Sequence, residues 1–219
     1  LFLSFHIDDP DLMDEEIAAR LKPYEPIGCR DWSSVYRLAD FGVQAFFSGC
    51  LTTTVSQVMP AGVPVDPERV AVVETDVSED ELAGKRVDVV SQADQRIRDL
   101  GLVDAIKDAR GMLEGYQPVS KVYTHRLHCY LPCRSMGLDV DFRPKNPSDV
   151  RFEGLLRLDA EQLLAMRTAI EDRLERILTA IFSGASRDEV MALWRELAAP
   201  DVAYADQYRA TYPEPPATS

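Results

Sequence analysis

Residues Val119–Phe142 read VSKVYTHRLHCYLPCRSMGLDVDF. Val119 to Tyr123 is a short run rich in β-branched and aromatic residues and predicts a strand. Arg126 to Met136 predicts a helix, and Leu138 to Phe142 alternates apolar and acidic positions as a second strand would. Strand, helix and strand joined by a few residues each imply parallel strands with the helix packed across them. The same alternation runs back towards the start of the chain. Leu1 to Ile7 is expected as a strand, Asp11 to Lys22 as a helix stopped by Pro23, and Glu25 to Cys29 as a second strand. Trp32 to Phe41 reads as a helix with Gly42 just past its end. Val43 to Phe47 and Val70 to Glu74 read as further strands, and Val87 to Val90 as a short strand or a loop. Gln92 to Tyr116 reads as helical with an interruption near Gly101. The expected fold is therefore α/β, a Rossmann-like three-layer parallel sheet with C-terminal helices.

Beyond Asp149 the texture changes. Asp159 to Phe182 carries Leu163, Met166, Ile170, Leu174, Ile177 and Ile181 in one helical stripe, which reads as a packing face. Asp188 to Leu197 predicts another helix, and the Pro-rich stretch from Tyr208 predicts a flexible tail. The expected organisation is a domain over 1–156, a helical extension over 157–207 and a tail over 208–219. With 219 residues and 24.5 kDa the chain holds one large domain or one and a half ordinary ones. A hydrophobic fraction of 46% with 28% charged residues excludes a disordered or fibrous chain. No apolar run approaches the ~20 residues that cross a bilayer, and no signal segment opens the chain. It starts at Leu1 inside an apolar run and without an initiator Met, as an excerpt would.

Twenty-four basic residues face 37 acidic ones, for a net charge of −13. Such a chain repels nucleic-acid backbone and anionic membrane. Residues 121–151 run against this trend: Lys121, Arg126, Arg134, Arg143, Lys145 and Arg151 face only Asp139, Asp141 and Asp149. A local cationic island in an acidic protein suits a small anion. Cys29, Cys50, Cys129 and Cys133 match no zinc spacing and read as buried free thiols in a reducing, cytoplasmic compartment.

Open parallel sheets bind ligands at the carboxyl ends of strands, near a reversal of strand order. All three histidines of the chain fall at predicted strand ends: His6 after the first strand, His125 and His128 after the 119–123 strand. Arg126 opens a helix there, where free N–H groups and the helix dipole favour an anion, and Arg30 stands in the equivalent place at the start of an earlier helix. Two planar guanidiniums in such positions suit the two ends of a small dianion. Ser48-Gly49-Cys50 opens a small hydroxyl-rich loop after the third strand. No dinucleotide fingerprint or P-loop is present. Asp139 and Asp141 alternate with Leu138, Val140 and Phe142 along a strand, which accounts for them without a metal.

The strings Pro26-Ile27-Gly28-Cys29-Arg30-Asp31, Phe47-Ser48-Gly49-Cys50-Leu51-Thr52, Thr124-His125-Arg126-Leu127-His128-Cys129 and Leu131-Pro132-Cys133-Arg134-Ser135-Met136-Gly137 resemble, in order and rough spacing, the polysaccharide pyruvyl transferase family. The likeness runs from about residue 1 to residue 156, and the last two strings are its most specific part. It implies one half of a GT-B-type fold and a transferase. That enzyme moves the enolpyruvyl group of phosphoenolpyruvate onto two sugar hydroxyls as a ketal and releases phosphate. Phosphoenolpyruvate is the donor substrate, a glycan is the acceptor, and no further cofactor or metal is implied. By this resemblance His6 and His128 are the candidate general acids, and Arg30, Arg126, Leu127, His125, Ser48 and Gly49 the candidate substrate contacts. The sequence carries His125 where a small residue usually precedes the Arg-Leu-His string. The resemblance covers the C-terminal, donor-binding half, so an N-terminal half or a homo-oligomer is expected to complete the enzyme. Two other readings stand beside it. One is a glycosyltransferase using a nucleotide-sugar, with Glu153 as its ribose-binding acid. The other is a non-catalytic domain that binds an anion or a partner protein, which an exposed stripe on the long helix would favour.

Overall fold

The computed structural model describes residues 1–59, 62–92, 99–156 and 158–211. Parallel strands alternate with helices throughout, so the class is α/β, with parallel sheets and C-terminal helices. The strands form two sheets in two compact units. Residues 1–51 with 148–219 make the first unit, and residues 52–147 make the second.

In the first unit Asp14 caps α1 (Glu15–Leu21) by accepting from the Ile17 amide at 2.8 Å. Strand β1 (Ile27–Cys29) pairs in parallel with β2 (Ala45–Phe47), with Ile27 opposite Ala45 and Cys29 opposite Phe47. Helix α2 (Trp32–Asp40) crosses between them and buries Val35 and Leu38. The strand expected over residues 1–7 is reduced to a single parallel bridge from Phe5 to Cys29. Its amides still track β1: Gly28 N donates to Phe2 O and Phe5 N to Gly28 O. Ser4 breaks the run, with φ at +63°. There its amide donates to Ser48 Oγ at 3.1 Å and its Oγ accepts from the Leu51 amide at 2.9 Å.

Further along the first unit, α6 (Ala160–Phe182) opens on a capping box between Asp159 and Gln162. Ile170 and Ile177 of its stripe are buried, while Ile181 at the far end is 45% exposed. Helix α7 (Arg187–Thr211) runs well past the expected Leu197 and through Pro200, because Trp194, Ala198, Val202 and Ala205 continue one buried face. Residues 212–219 of the expected tail lie outside the described residues. The helices expected as an extension share one core with Ile27, Leu38 and Phe46. Trp194 Nε1 donates to the Pro26 carbonyl at 2.7 Å, and Arg173 pairs with Asp201 while its guanidinium lies 5.4 Å from the Phe46 ring centre.

The second unit carries a four-stranded parallel sheet in the order β4 (Arg86–Val90), β3 (Asp66–Val73), β5 (Val119–Thr124), β6 (Val140–Phe142). The stretch 87–90 is thus a strand. Ala71, Val73, Val119 and Val122 are buried under α4 (Leu102–Tyr116) and α5 (Leu127–Ser135). Between β4 and α4, residues 93–98 of the expected helix lie outside the described residues; α4 itself starts after Gly101. Helix α3 (Glu79–Leu82) is a single turn fixed by a capping box between Ser78 and Glu81. The chain leaves β3 for β4 on one side and returns for β5 on the other. The reversal of strand order therefore lies between β3 and β5, where Val73 stands opposite Thr124.

All four cysteines are buried and outside any disulfide. Among the described residues no helix is long and apolar enough to cross a membrane.

Candidate functional site

The structure distributes the sequence-predicted residues over both units: His6, Arg30, Ser48 and Gly49 in the first, His125, Arg126, Leu127 and His128 in the second.

In the first unit the chemistry gathers on Asp31. This residue caps α2, taking the Ser34 amide at 2.9 Å and the Ser33 hydroxyl at 2.6 Å on Oδ1. Its other oxygen, Oδ2, lies 2.7 Å from His6 Nδ1, and Asp31 is fully buried. Burial alone would raise its pKa. The hydrogen bonds from His6, Ser33 and Ser34 outweigh burial, and the carboxyl is held below its usual range. An ionised Asp31 can only accept, so His6 Nδ1 carries the proton on that side. The tautomer of the ring is thereby fixed.

The His6 side chain is 10% exposed, and its Nε2 is buried without a hydrogen-bond partner among the described residues. Asp8 Oδ1 lies 3.5 Å from it. Arg30 Nε is 3.6 Å from Asp31 Oδ2, and the arginine is largely buried. Arg151 makes a fork with Asp149, with Nε 2.9 Å from Oδ1 and Nη2 2.6 Å from Oδ2, and reaches Asp8 at 3.7 Å. Two guanidiniums and His6 thus face three carboxylates, of which Asp8 is 81% exposed.

Ser48 and Gly49 have structural work in the same unit. Ser48 Oγ donates to the Cys29 carbonyl at 3.0 Å while accepting from the Ser4 amide. Gly49 has φ at +79°, and a Cβ there would stand 2.5 Å from Met166 Cγ, so only glycine fits. Glu153 follows a 3-10 turn (Val150–Phe152) and accepts from Tyr208. Burial, and to a lesser extent Asp31, raises its pKa.

In the second unit the site lies at the reversal between β3 and β5. Thr124 closes β5 and is fully buried; its Oγ1 accepts the Arg126 amide at 2.9 Å. Arg126 caps α5, and its side chain is 44% exposed. Its Nε donates to Glu74 Oε2 across the reversal. Glu74 follows β3 directly and adopts φ +53°, a conformation that costs a residue with a Cβ about 1–3 kcal/mol. Its other oxygen accepts from Ser91 Oγ and the Gln92 amide, both at 3.0 Å, which ties in the end of β4. At His125 burial first, then Lys145 and Arg126, hold the pKa below the ordinary histidine value, against the opposing pull of Glu74. Leu127 is half-buried and His128 exposed on the first turn of α5.

Asp139 and Asp141 are engaged by Lys121 at 3.3 Å and Arg143 at 2.7 Å. No three His, Cys, Asp or Glu side chains gather to hold a metal ion among the described residues.

Sequence reading missed two acids. Asp31 is legible as the cap before Trp32, but its bond to His6 depends on the bridge from Phe5 to Cys29. Glu74 meets Arg126 only through the pairing of β3 with β5, 52 residues apart in sequence. Compared with protein-family models, curated proteins and solved structures, the chain matches none of them.

Proposed function

We propose that the chain handles phosphoenolpyruvate in pyruvyl transfer to a glycan. The observation that carries this reading is His6: nine-tenths buried, Nδ1 committed to Asp31, and Nε2 without a hydrogen-bond partner among the described residues. A histidine oriented through Nδ1, with its other nitrogen left to face a ligand, suits general acid catalysis near neutral pH. In the reaction His6, protonated at both ring nitrogens, gives its Nε2 proton to the methylene carbon of the donor. The adjacent carbon takes oxocarbenium-like charge, and a sugar hydroxyl attacks it. Phosphate then leaves, and a second hydroxyl of the same glycan attacks that carbon to close the ketal. Of the two hydroxyl protons, one restores His6 and the other departs with phosphate.

By the resemblance Arg30 and Arg126 are donor contacts, each a planar guanidinium that suits a phosphate or a carboxylate. His128 and His125, beside Arg126, are donor contacts in this reading, and the resemblance adds Leu127, Ser48 and Gly49. Two observations weigh against the other readings. Glu153 follows a 3-10 turn rather than a strand, which weighs against it as a ribose-binding acid. In the α6 stripe Ile170 and Ile177 are buried, Leu163, Met166 and Leu174 are half-buried and Ile181 is exposed, which weighs against a partner-binding role for it. Four buried cysteines outside any disulfide support a reducing, cytoplasmic setting.

Phosphorus NMR tests the reading. With oligosaccharides that carry a free pair of neighbouring hydroxyls, inorganic phosphate is expected to grow from phosphoenolpyruvate only when acceptor is present. A ketal methyl signal should appear with it in the proton spectrum. Consumption of a nucleotide-sugar with no loss of phosphoenolpyruvate would replace this reading with glycosyl transfer.

A further inference from the structure

We infer that Glu74 is a positioning residue for Arg126, holding its guanidinium by Nε so that the two terminal amino groups face an anionic donor. The inference rests on the reading of Arg126 as a donor contact. Glu74 is 14% exposed against 44% for Arg126, so the carboxylate is the fixed partner and the guanidinium is the end that reaches solvent. Its position is set by neighbouring elements. The residue follows the central strand β3, and Oε1 is tied to Ser91 and Gln92 after β4 while Oε2 takes Arg126 after β5.

An arginine gripped at Nε keeps both terminal amino groups for a bidentate contact. Among the described residues the Arg126 side chain hydrogen-bonds through Nε, so its two terminal amino groups are available to a ligand. Ordering this long side chain before the ligand arrives removes part of the entropy cost of binding. A carboxylate that merely competed for the arginine would act in the opposite direction, since its removal would strengthen anion binding.

Glutamine and alanine at position 74 separate these roles. Glutamine keeps an oxygen that accepts from Nε and removes only the charge; alanine removes both. Calorimetry with phosphoenolpyruvate on the full chain is expected to show about tenfold weaker binding for Glu74→Ala. Glu74→Gln should stay within about twofold of the wild type or bind more tightly. Thermal unfolding of each variant confirms that the loss is not one of fold. Arg126→Ala is the control and should lose most of the affinity. If Arg126→Ala loses affinity while Glu74→Ala binds as well as the wild type or better, the positioning role is overturned and the donor site stands. If Arg126→Ala binds as well as the wild type, or the wild type does not bind, the reading of Arg126 fails and Glu74's role with it.

Discussion

His6→Asn is expected to lower turnover by about 100- to 10,000-fold, the usual worth of a positioned general acid. Affinity for phosphoenolpyruvate should change little. Asparagine suits the test because its side-chain amide sits close to where Nδ1 was. It keeps a donor towards Asp31 and removes only the Nε2 end of the ring. The cap of α2 and the buried environment of Asp31 are therefore retained. Single-turnover rates measured beside calorimetric affinities separate the two effects. Turnover equal to wild type in His6→Asn would remove His6 from the chemistry and leave His128 as the acid.

Asp31→Asn is expected to cost turnover by a comparable factor, about 100-fold or more, with the fold kept. Asparagine caps a helix as well as aspartate does, so the bond from the Ser34 amide survives. The neutral amide no longer dictates which ring nitrogen carries the proton, and a carboxylate lost from such a pair leaves the wrong tautomer populated. The pH dependence of stability carries a separate signature. Burial raises the pKa of Asp31, but its hydrogen bonds win and the folded value lies below the unfolded one of ~3.9. Ionised Asp31 therefore contributes stability that is fully present above that unfolded value and lost as pH falls through the folded one. Wild type should be the more stable protein at neutral pH, and the gap to Asp31→Asn should close in acid. Melting temperatures across that range check it; a gap independent of pH would mean that Asp31 acts through its shape alone. Alanine at this position should melt lower still, since losing the cap costs about 1 kcal/mol.

Local pattern made much of the fold legible. The run from Val119 to Phe142 folds as strand, helix and parallel strand, and Asp31 and Asp159 mark helix starts through their side-chain chemistry. What escaped depends on partners distant in sequence. Residues 1–7 are apolar enough for a strand, yet Ser4 turns its amide and hydroxyl to Ser48 and Leu51 and leaves one bridge. No local signal says that the strands divide into two sheets, β1–β2 and β3–β6. Nor does one say that α7 passes through Pro200, since the buried face that carries it across is set by the core of the first unit.

The candidate site divides in the same way. The clustering of three histidines at strand ends is a sequence fact, because strand ends follow from periodicity. The carboxylates that hold His6 and Arg126 are tertiary facts. Asp31 and Glu74 look, in sequence, like a helix cap and a strand-end acid. Ser48 and Gly49 carry the converse lesson. A small, hydroxyl-bearing loop invites a ligand on paper, while here one hydroxyl ties the N-terminal segment to β1 and the glycine admits Met166.

Titration calorimetry of the full chain with phosphoenolpyruvate, with a uridine diphosphate-sugar as control, tests the central claim most directly. Saturable heat with phosphoenolpyruvate and none with the nucleotide-sugar is the predicted result. Heat with the nucleotide-sugar alone, or with neither, would contradict it.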